Sequence, residues 1–397
     1  MDEPEPALRG LTVLDLSAGV AGSYCGRMLA VYGARVILVE PPSGSPLRAA
    51  GPRQPGVDAE RGAAFIVNGA GKESVTLDPS TPTGRALLDR LCASADILLD
   101  DSHALRAAGI TWEGLHASFP RLVVVAVSPF GESGPYAGYE ALDGTLYALG
   151  GYTYLTGDPH REPIQGPENI PGYMAGANAY IGALAAVVAR EQTGKGQLVE
   201  VSAMESLAAA HQWTMTRYDY NGRVQTRNNS RYDSLHPVTY YECADGTVAI
   251  SPSTPDQLER MMLLIEREDM LKDPRFSTNA LRIENADEFD AEVAPWFMAR
   301  TRNEITEACQ AYRVPCAPAL EVDELLQHEQ LRARGFWRAA HDPTAGDLLL
   351  PRAPFRMPAS PSLDGVAPRL GQDTEAVYNS LGLDADALAG LREAHVI

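Results

Sequence analysis

The sequence predicts an α/β protein, with a doubly wound, mainly parallel sheet in a large domain and a smaller α+β domain beside it. Two patterns carry that expectation. Short apolar runs, Leu11 to Leu16, Arg35 to Val39, Ser74 to Leu77, Ile97 to Leu99 and Leu122 to Ser128, recur through the first third of the chain, and strands alternating with helices assemble into parallel sheets. Further on, Tyr240 to Ile250 reads as a hairpin turning at Asp245-Gly246.

The first strand runs into Gly19, Gly22 and Gly26 and then a helix through Val31, and the second strand ends at Glu40. A glycine-rich turn with an acid roughly 20 positions later superficially satisfies the dinucleotide signature. The spacing here is GxxGxxxG rather than GxGxxG, so the pattern indicates the fold without a nicotinamide or flavin. A helix from Pro82 to Ala93 separates the next two strands.

Pro171 and Gly172 then open a helix of small residues, Ala175, Gly176, Ala179, Gly182, Ala183 and Ala186 among them, which ends near Arg190. Proline suits a first helical turn because it has no N–H to lose there. Small side chains let the helix press against another backbone, and its free N–H groups would suit an anion or thioester. Thr193-Gly194-Lys195-Gly196 turns the chain into a strand from Gln197 to Val201. After the polar stretch Asn221 to Ser234 the small domain follows, with helices from Pro255 to about Glu329, and a Pro-rich tail from Leu348 returns to the first domain. The expected boundaries are 1–220, 235–330 and 345–397.

A chain of 397 residues exceeds what one compact core serves well, which agrees with two domains. The longest apolar stretch, Ala175 to Ala189, is short for a membrane span. The opening MDEPEPALRG is acidic, unlike a secretory or transit segment, so a cytoplasmic location is expected. A net charge of −19 disfavours nucleic acid and anionic membrane as partners. The five cysteines are scattered without a CxxC pair, which predicts buried thiols and neither a disulfide framework nor a metal site.

The opening LRGLTVLDLSAGVAGSYCGRMLAVYGARVILVEPP, the run GKESVTLDPSTPTGRALLDRLCASADILL, the segment TGKGQLVEVS and the late runs DPRFSTNALRIENADE and VPCAPALEVDELLQHEQLRARGFW follow one another in order. Together they resemble the family III CoA transferases, which include formyl-CoA and carnitine CoA transferases and the 2-methylacyl-CoA racemases. The resemblance implies a Rossmann-like large domain, a small domain, and two chains interlocked as a dimer. It also implies nucleophilic catalysis in which an aspartate attacks the donor thioester and then holds CoA as an aspartyl thioester.

Matching IPGYMAGANAYIG to the family's run puts that aspartate at Gly172, and the racemase histidine at Tyr139. The family's aspartate and histidine are thus both absent, and glycine offers neither nucleophile nor base. Glu168 and Glu140 are substitute carboxylates by proximity in sequence, with Asp143 close behind, although catalysis tolerates misplacement of only about 1 Å. Val20, Ala21, Lys72 and Arg106 are the candidate CoA contacts, and Arg48 is a further cation in the region.

The family's Asn-Phe-Arg-type turn along CoA reads Asp100-Asp101-Ser102-His103 here, and a commonly basic position is Glu73. An Arg–phosphate hydrogen bond contributes about 1.5 to 3 kcal/mol, and a carboxylate about 4 Å from a phosphate repels it by about 4 kcal/mol at an effective dielectric of 20. The substitutions therefore weaken CoA binding.

The expectation is the non-nucleophilic subunit of a heteromeric transferase that moves CoA between a donor such as succinyl-CoA and an acceptor carboxylic acid. A sister chain would carry the aspartate and bind the CoA thioester. Two alternatives stay open: an acyl-CoA racemase, lyase or decarboxylase whose acid–base group has moved to Tyr139, Glu140, Glu168, His211 or His236, and a scaffold that binds no thioester.

Overall fold

The computed structural model describes residues 5–53, 55–57 and 60–397 and divides into two compact units. The first unit comprises residues 1–151, 166–212 and 332–397, and the second residues 152–165 and 213–331.

The first unit is built on six strands: β1 (Thr12–Asp15), β2 (Arg35–Glu40), β3 (Glu73–Thr76), β4 (Ile97–Asp100), β5 (Val123–Ser128) and β6 (Leu198–Ser202). They pair in the order β3-β2-β1-β4-β5-β6, every pair parallel. The order reverses between β1 and β4, where Val13 lies between Val36 and Ile97. In open α/β sheets the crevice at the carboxyl ends of the strands around such a reversal is where ligands bind. The strands are runs of Val, Ile and Leu because helices cover both faces, and Leu14, Ile37, Val75, Leu98 and Val124 share one buried cluster.

The first helix, Val20–Val31, crosses the small-residue helix, which runs Ile170–Thr193. This long helix is apolar enough, by length and composition, to cross a bilayer. Here it lies along β5 and β6, with Ala175, Ala179, Ala183 and Ala186 buried. Its end is tied down by buried Arg190, 3.0 Å from Asp96, and closed by Gly194 at φ 72°. At the crossing, a Cβ on Gly176 would stand 2.4 Å from the Ala21 carbonyl oxygen, so glycine is what lets the two backbones touch.

The chain from 332 onward belongs to the first unit. It opens with a hairpin not expected from the sequence, β10 (Trp337–Asp342) with β11 (Gly346–Pro351). The tail then clasps β3: Asp373 accepts from Ser74 N–H at 2.8 Å and the Tyr378 hydroxyl donates to Thr76 O at 2.8 Å.

The second unit holds an antiparallel sheet of β7 (Thr239–Cys243), β8 (Gly246–Ile250) and β9 (Cys316–Pro318). Helices including Pro255–Leu264, Ala286–Met298 and Arg302–Ala311 pack on it around Met261, Phe289 and Phe297. The predicted hairpin is present, with its turn at Ala244-Asp245, one residue before the expected position. Part of the chain at the edge of the expected polar stretch is helical, Gln212–Asn221. All five cysteines are buried and free.

Gly176→Ala is expected to gain about 1 kcal/mol of helix propensity and to lose more to the clash, because the obstructing atom is backbone and overpacking costs about 1 to 3 kcal/mol. A lower urea midpoint than wild type is the expected result.

Candidate functional site

The crevice begins at Asp15, the last residue of β1. Its carboxylate is buried and receives the Lys72 ammonium at 2.7 Å and the Ser17 N–H at 2.9 Å. Lys72 also donates to Ser23 O at 2.8 Å and lies 3.0 Å from Ser23 Oγ. A Cβ on Gly26 would sit 2.3 Å from Asp15 Oδ2 and 3.0 Å from Lys72 Nζ, so this glycine makes room for the ion pair.

The first helix has Gly19 at its cap, with no side chain of its own to satisfy the exposed N–H groups. Asp101, just beyond β4, satisfies them. One of its oxygens accepts from Ala18 N–H at 2.7 Å and Gly19 N–H at 3.0 Å, the other from Gly22 N–H at 2.8 Å. Negative charge is favoured at a helix N-terminus, and here the protein supplies it. Burial raises the Asp101 carboxyl above its ordinary value, with the Asp15 charge adding to the rise, although the three N–H donors favour the ionised form. The neighbouring Asp100 is also turned onto backbone, accepting from Ser102 N–H at 2.9 Å and Leu105 N–H at 3.1 Å.

Beside this cap, at the carboxyl ends of the strands, lies a cavity of about 260 Å³ lined by Leu16, Ser17, Val39, Leu77, Ser102 and other residues. No lysine or arginine is among its lining residues. The Glu40 carboxylate at its wall is saturated by Arg48, at 2.6 and 2.7 Å, and by the Ser74 hydroxyl at 2.7 Å. The buried Ser17 Oγ has no hydrogen-bond partner.

At the mouth of the long helix, Asn169 takes the left-handed conformation, φ 65°, and its N–H is held by the Asp143 carboxylate. Gly172 follows in the first turn. A Cβ there would meet Val20 Cβ at 3.2 Å and Val20 Cγ1 at 3.3 Å, then Ala21 N at 3.7 Å. Tyr173 stands edge-on to Tyr24, ring centres 5.1 Å apart. Gly172 is half-buried against the apolar Val20 side chain, and the acid held at this helix mouth is Asp143, on the Asn169 N–H.

The profile of CoA-transferase family III matches residues 8–374. The chain belongs to that family. Succinyl-CoA–D-citramalate CoA-transferase of Chloroflexus aurantiacus is 32% identical over 400 residues, covering 99% of each protein. Subunit BbsE of succinyl-CoA:(R)-benzylsuccinate CoA-transferase of Thauera aromatica is 32% identical, covering 94% of each. The beta subunit of succinyl-CoA–L-malate CoA-transferase of Chloroflexus aurantiacus is 28% identical over 98% of each. Among solved structures, a CaiB/BaiF family protein from Brucella suis superposes with a TM-score of 0.84 at 27% identity, covering 95% of this chain and 100% of that one.

For a family III CoA transferase the positions singled out by sequence fall into distinct groups. Val20 and Ala21 lie in the first turn of the first helix, against Gly172 and Gly176. Lys72 is inside the protein with its ammonium committed to Asp15 and Ser23, and Arg48 is buried with Glu40 and also donates to Pro368 O. Both cations are buried and paired; a charge this deep is retained only with its partner. Arg106 is exposed on a four-residue helix, Ala104–Ala107. Glu168 and Glu140 are exposed, and Tyr139 stacks on Tyr136 at 4.8 Å. Glu73 forms a two-point ion pair with Arg35, at 2.8 and 3.0 Å. His211 Nε2 lies 2.6 Å from Gly150 O. His236, in the second unit, is buried with its Nε2 3.2 Å from Asp290, which also accepts from Tyr241 and Arg231.

Sequence reasoning missed the inward turn of Asp101, reading it as a loop charge aimed at the ligand. The available signal was the trio Gly19, Gly22 and Gly26. A Cβ on Gly22 would come within 2.1 Å of Ser17 Oγ and 3.0 Å of Asp101 Cγ, so the glycines make room for the protein's own polar side chains.

Lys72→Met is expected to cost about 3 to 5 kcal/mol of stability by stranding Asp15, and Arg106→Met no more than about 0.5 kcal/mol; urea unfolding of both variants checks the contrast. Asp101 also predicts a pH dependence. Its folded pKa lies above the unfolded value of about 3.9, so the folded state binds more protons in the window between the two, and this group's contribution to stability declines as pH rises through it. The difference in urea midpoint between wild type and Asp101→Asn, followed upward in pH from that value, is expected to move against wild type and then level off.

Proposed function

We propose that this chain is the non-nucleophilic subunit of a heteromeric family III CoA transferase, moving CoA from a donor such as succinyl-CoA to an acceptor carboxylic acid. The observation that carries the reading is Gly172, the position the family resemblance gives to the attacking aspartate, facing Val20 with the substitute acids Glu168 and Glu140 out in solvent. Asp101 supports it from the ligand side. A carboxylate already occupies the N–H groups of the first helix, and a CoA phosphate placed there would meet fixed negative charge instead of donors.

The relatives point the same way. Three activities printed for them use succinyl-CoA, and two of the three proteins are named as subunits. In this reading the partner is a second family III chain that carries the aspartate and binds the CoA thioester, and the assembly is an interlocked heterodimer in the cytoplasm. The division into a large domain (1–220), a small domain (235–330) and a returning tail (345–397) belongs to the same proposal, with the small domain completing the partner's pocket. Val20, Ala21 and Arg106 keep at most a shaping role, and no metal takes part.

Co-expression with a sister chain, followed by incubation with succinyl-CoA and borohydride and intact-mass analysis, tests the reading. The expected result is a mixed assembly with the reduced adduct on the sister chain alone. An adduct on this chain, or full transferase turnover by this chain purified alone, would overturn it.

A further inference from the structure

Away from the crevice, where the first helix meets the returning C-terminal segment, three guanidiniums surround a cavity of about 120 Å³. Arg27 is 7% exposed; one of its terminal nitrogens donates to Pro351 O at 2.5 Å, and its Nε has no hydrogen-bond partner. Arg338 is 9% exposed; it donates to Gly365 O, and its Nε is 3.5 Å from Asp364. One terminal nitrogen of Arg352 donates to both oxygens of the same Asp364, at 2.9 and 3.0 Å. Among the described residues Asp364 is the one acidic residue in the lining, with Ala30, Val31, Ala34 and Leu363 also contributing to it.

Three guanidiniums thus line one cavity, two of them more than nine-tenths buried, and the Asp364 carboxylate contacts Arg338 and Arg352 but not Arg27, in a chain whose net charge is −19. Buried charge without a counter-charge is costly. Each guanidinium feels the next: burial lowers the Arg27 pKa with Arg338 adding to the effect, and burial lowers the Arg338 pKa with Arg352 adding to it. Acidic side chains are abundant elsewhere in this protein, yet among the described residues only Asp364 lines this cavity.

We propose that the Arg27–Arg338–Arg352 cavity is a binding site for a small divalent oxyanion, either a phosphate group or a short dicarboxylate. The unpaired Arg27 Nε and the planar forks of the other two arginines suit two or more oxygens of one anion. Because the ligands come from both the first helix and the segment 338–365, an occupied site fastens the C-terminal segment to the large unit. This site is independent of the crevice and of the proposed transferase role.

Thermal unfolding of the full chain in inorganic phosphate, against sodium chloride of equal ionic strength, tests the assignment, with succinate as a second arm. A saturable rise in Tm is expected with at least one of the two, and the anion with the lower midpoint concentration identifies the source. Arg27→Met is expected to abolish the saturable rise, while Arg85→Gln, on a helix surface, leaves it intact. Should Arg27→Met fail to fold, Arg352→Gln supplies the result, with a midpoint weakened roughly tenfold or more, the loss of one charged hydrogen bond. No saturable effect of either anion beyond chloride, or unchanged midpoints in the arginine variants, would overturn the proposal.

Discussion

The carboxylate of Asp101 on the N–H groups of Ala18, Gly19 and Gly22 constrains the whole ligand face of the large unit. A parallel sheet whose strand order reverses between β1 and β4 presents the first helix N-terminus to its crevice, and that end carries partial positive charge. In most such folds the charge is left for a ligand. Here an internal side chain takes it, and the glycines that could have admitted a phosphate admit Asp101 and Ser17 instead. The nearby Asp15–Lys72 and Glu40–Arg48 pairs follow the same pattern: both of these cations are bound to a buried acid.

The second constraint is the crossing of the first and long helices. Gly176 lets the backbones touch at Ala21, and four residues earlier Gly172 lies against Val20. A Cβ at 172 would stand 3.2 Å from Val20 Cβ, so a larger residue there requires the Val20 side chain to give by a few tenths of an ångström. Membership of family III gives the fold and the general chemistry of CoA transfer; the crowding at Gly172 and the filled helix cap set the particular role proposed for this chain.

Much of the fold was legible because it depends on local patterns. The alternation of Val, Ile and Leu runs with helices identified the six parallel strands to within a residue or two, and the Pro171 start and Gly194 stop marked the long helix. The β10–β11 hairpin was not legible, since its strands Trp337–Asp342 and Gly346–Pro351 carry His, Arg and Asp that pair across the sheet without an apolar period. At the site, Gly172 was readable as a glycine in the first turn of the long helix. The fates of Lys72 and Arg48 were not, because whether a cation faces solvent or a buried acid depends on contacts 57 residues apart in one case and 8 in the other. Asp101 stood in plain view, but sequence shows its charge and not its direction.

Calorimetric titration of CoA into this chain purified without any partner tests the central claim most directly, since it depends on neither the acid nor the donor. A crevice whose helix cap already holds a carboxylate predicts no saturable heat. Stoichiometric, saturable binding of CoA to the isolated chain would contradict the account.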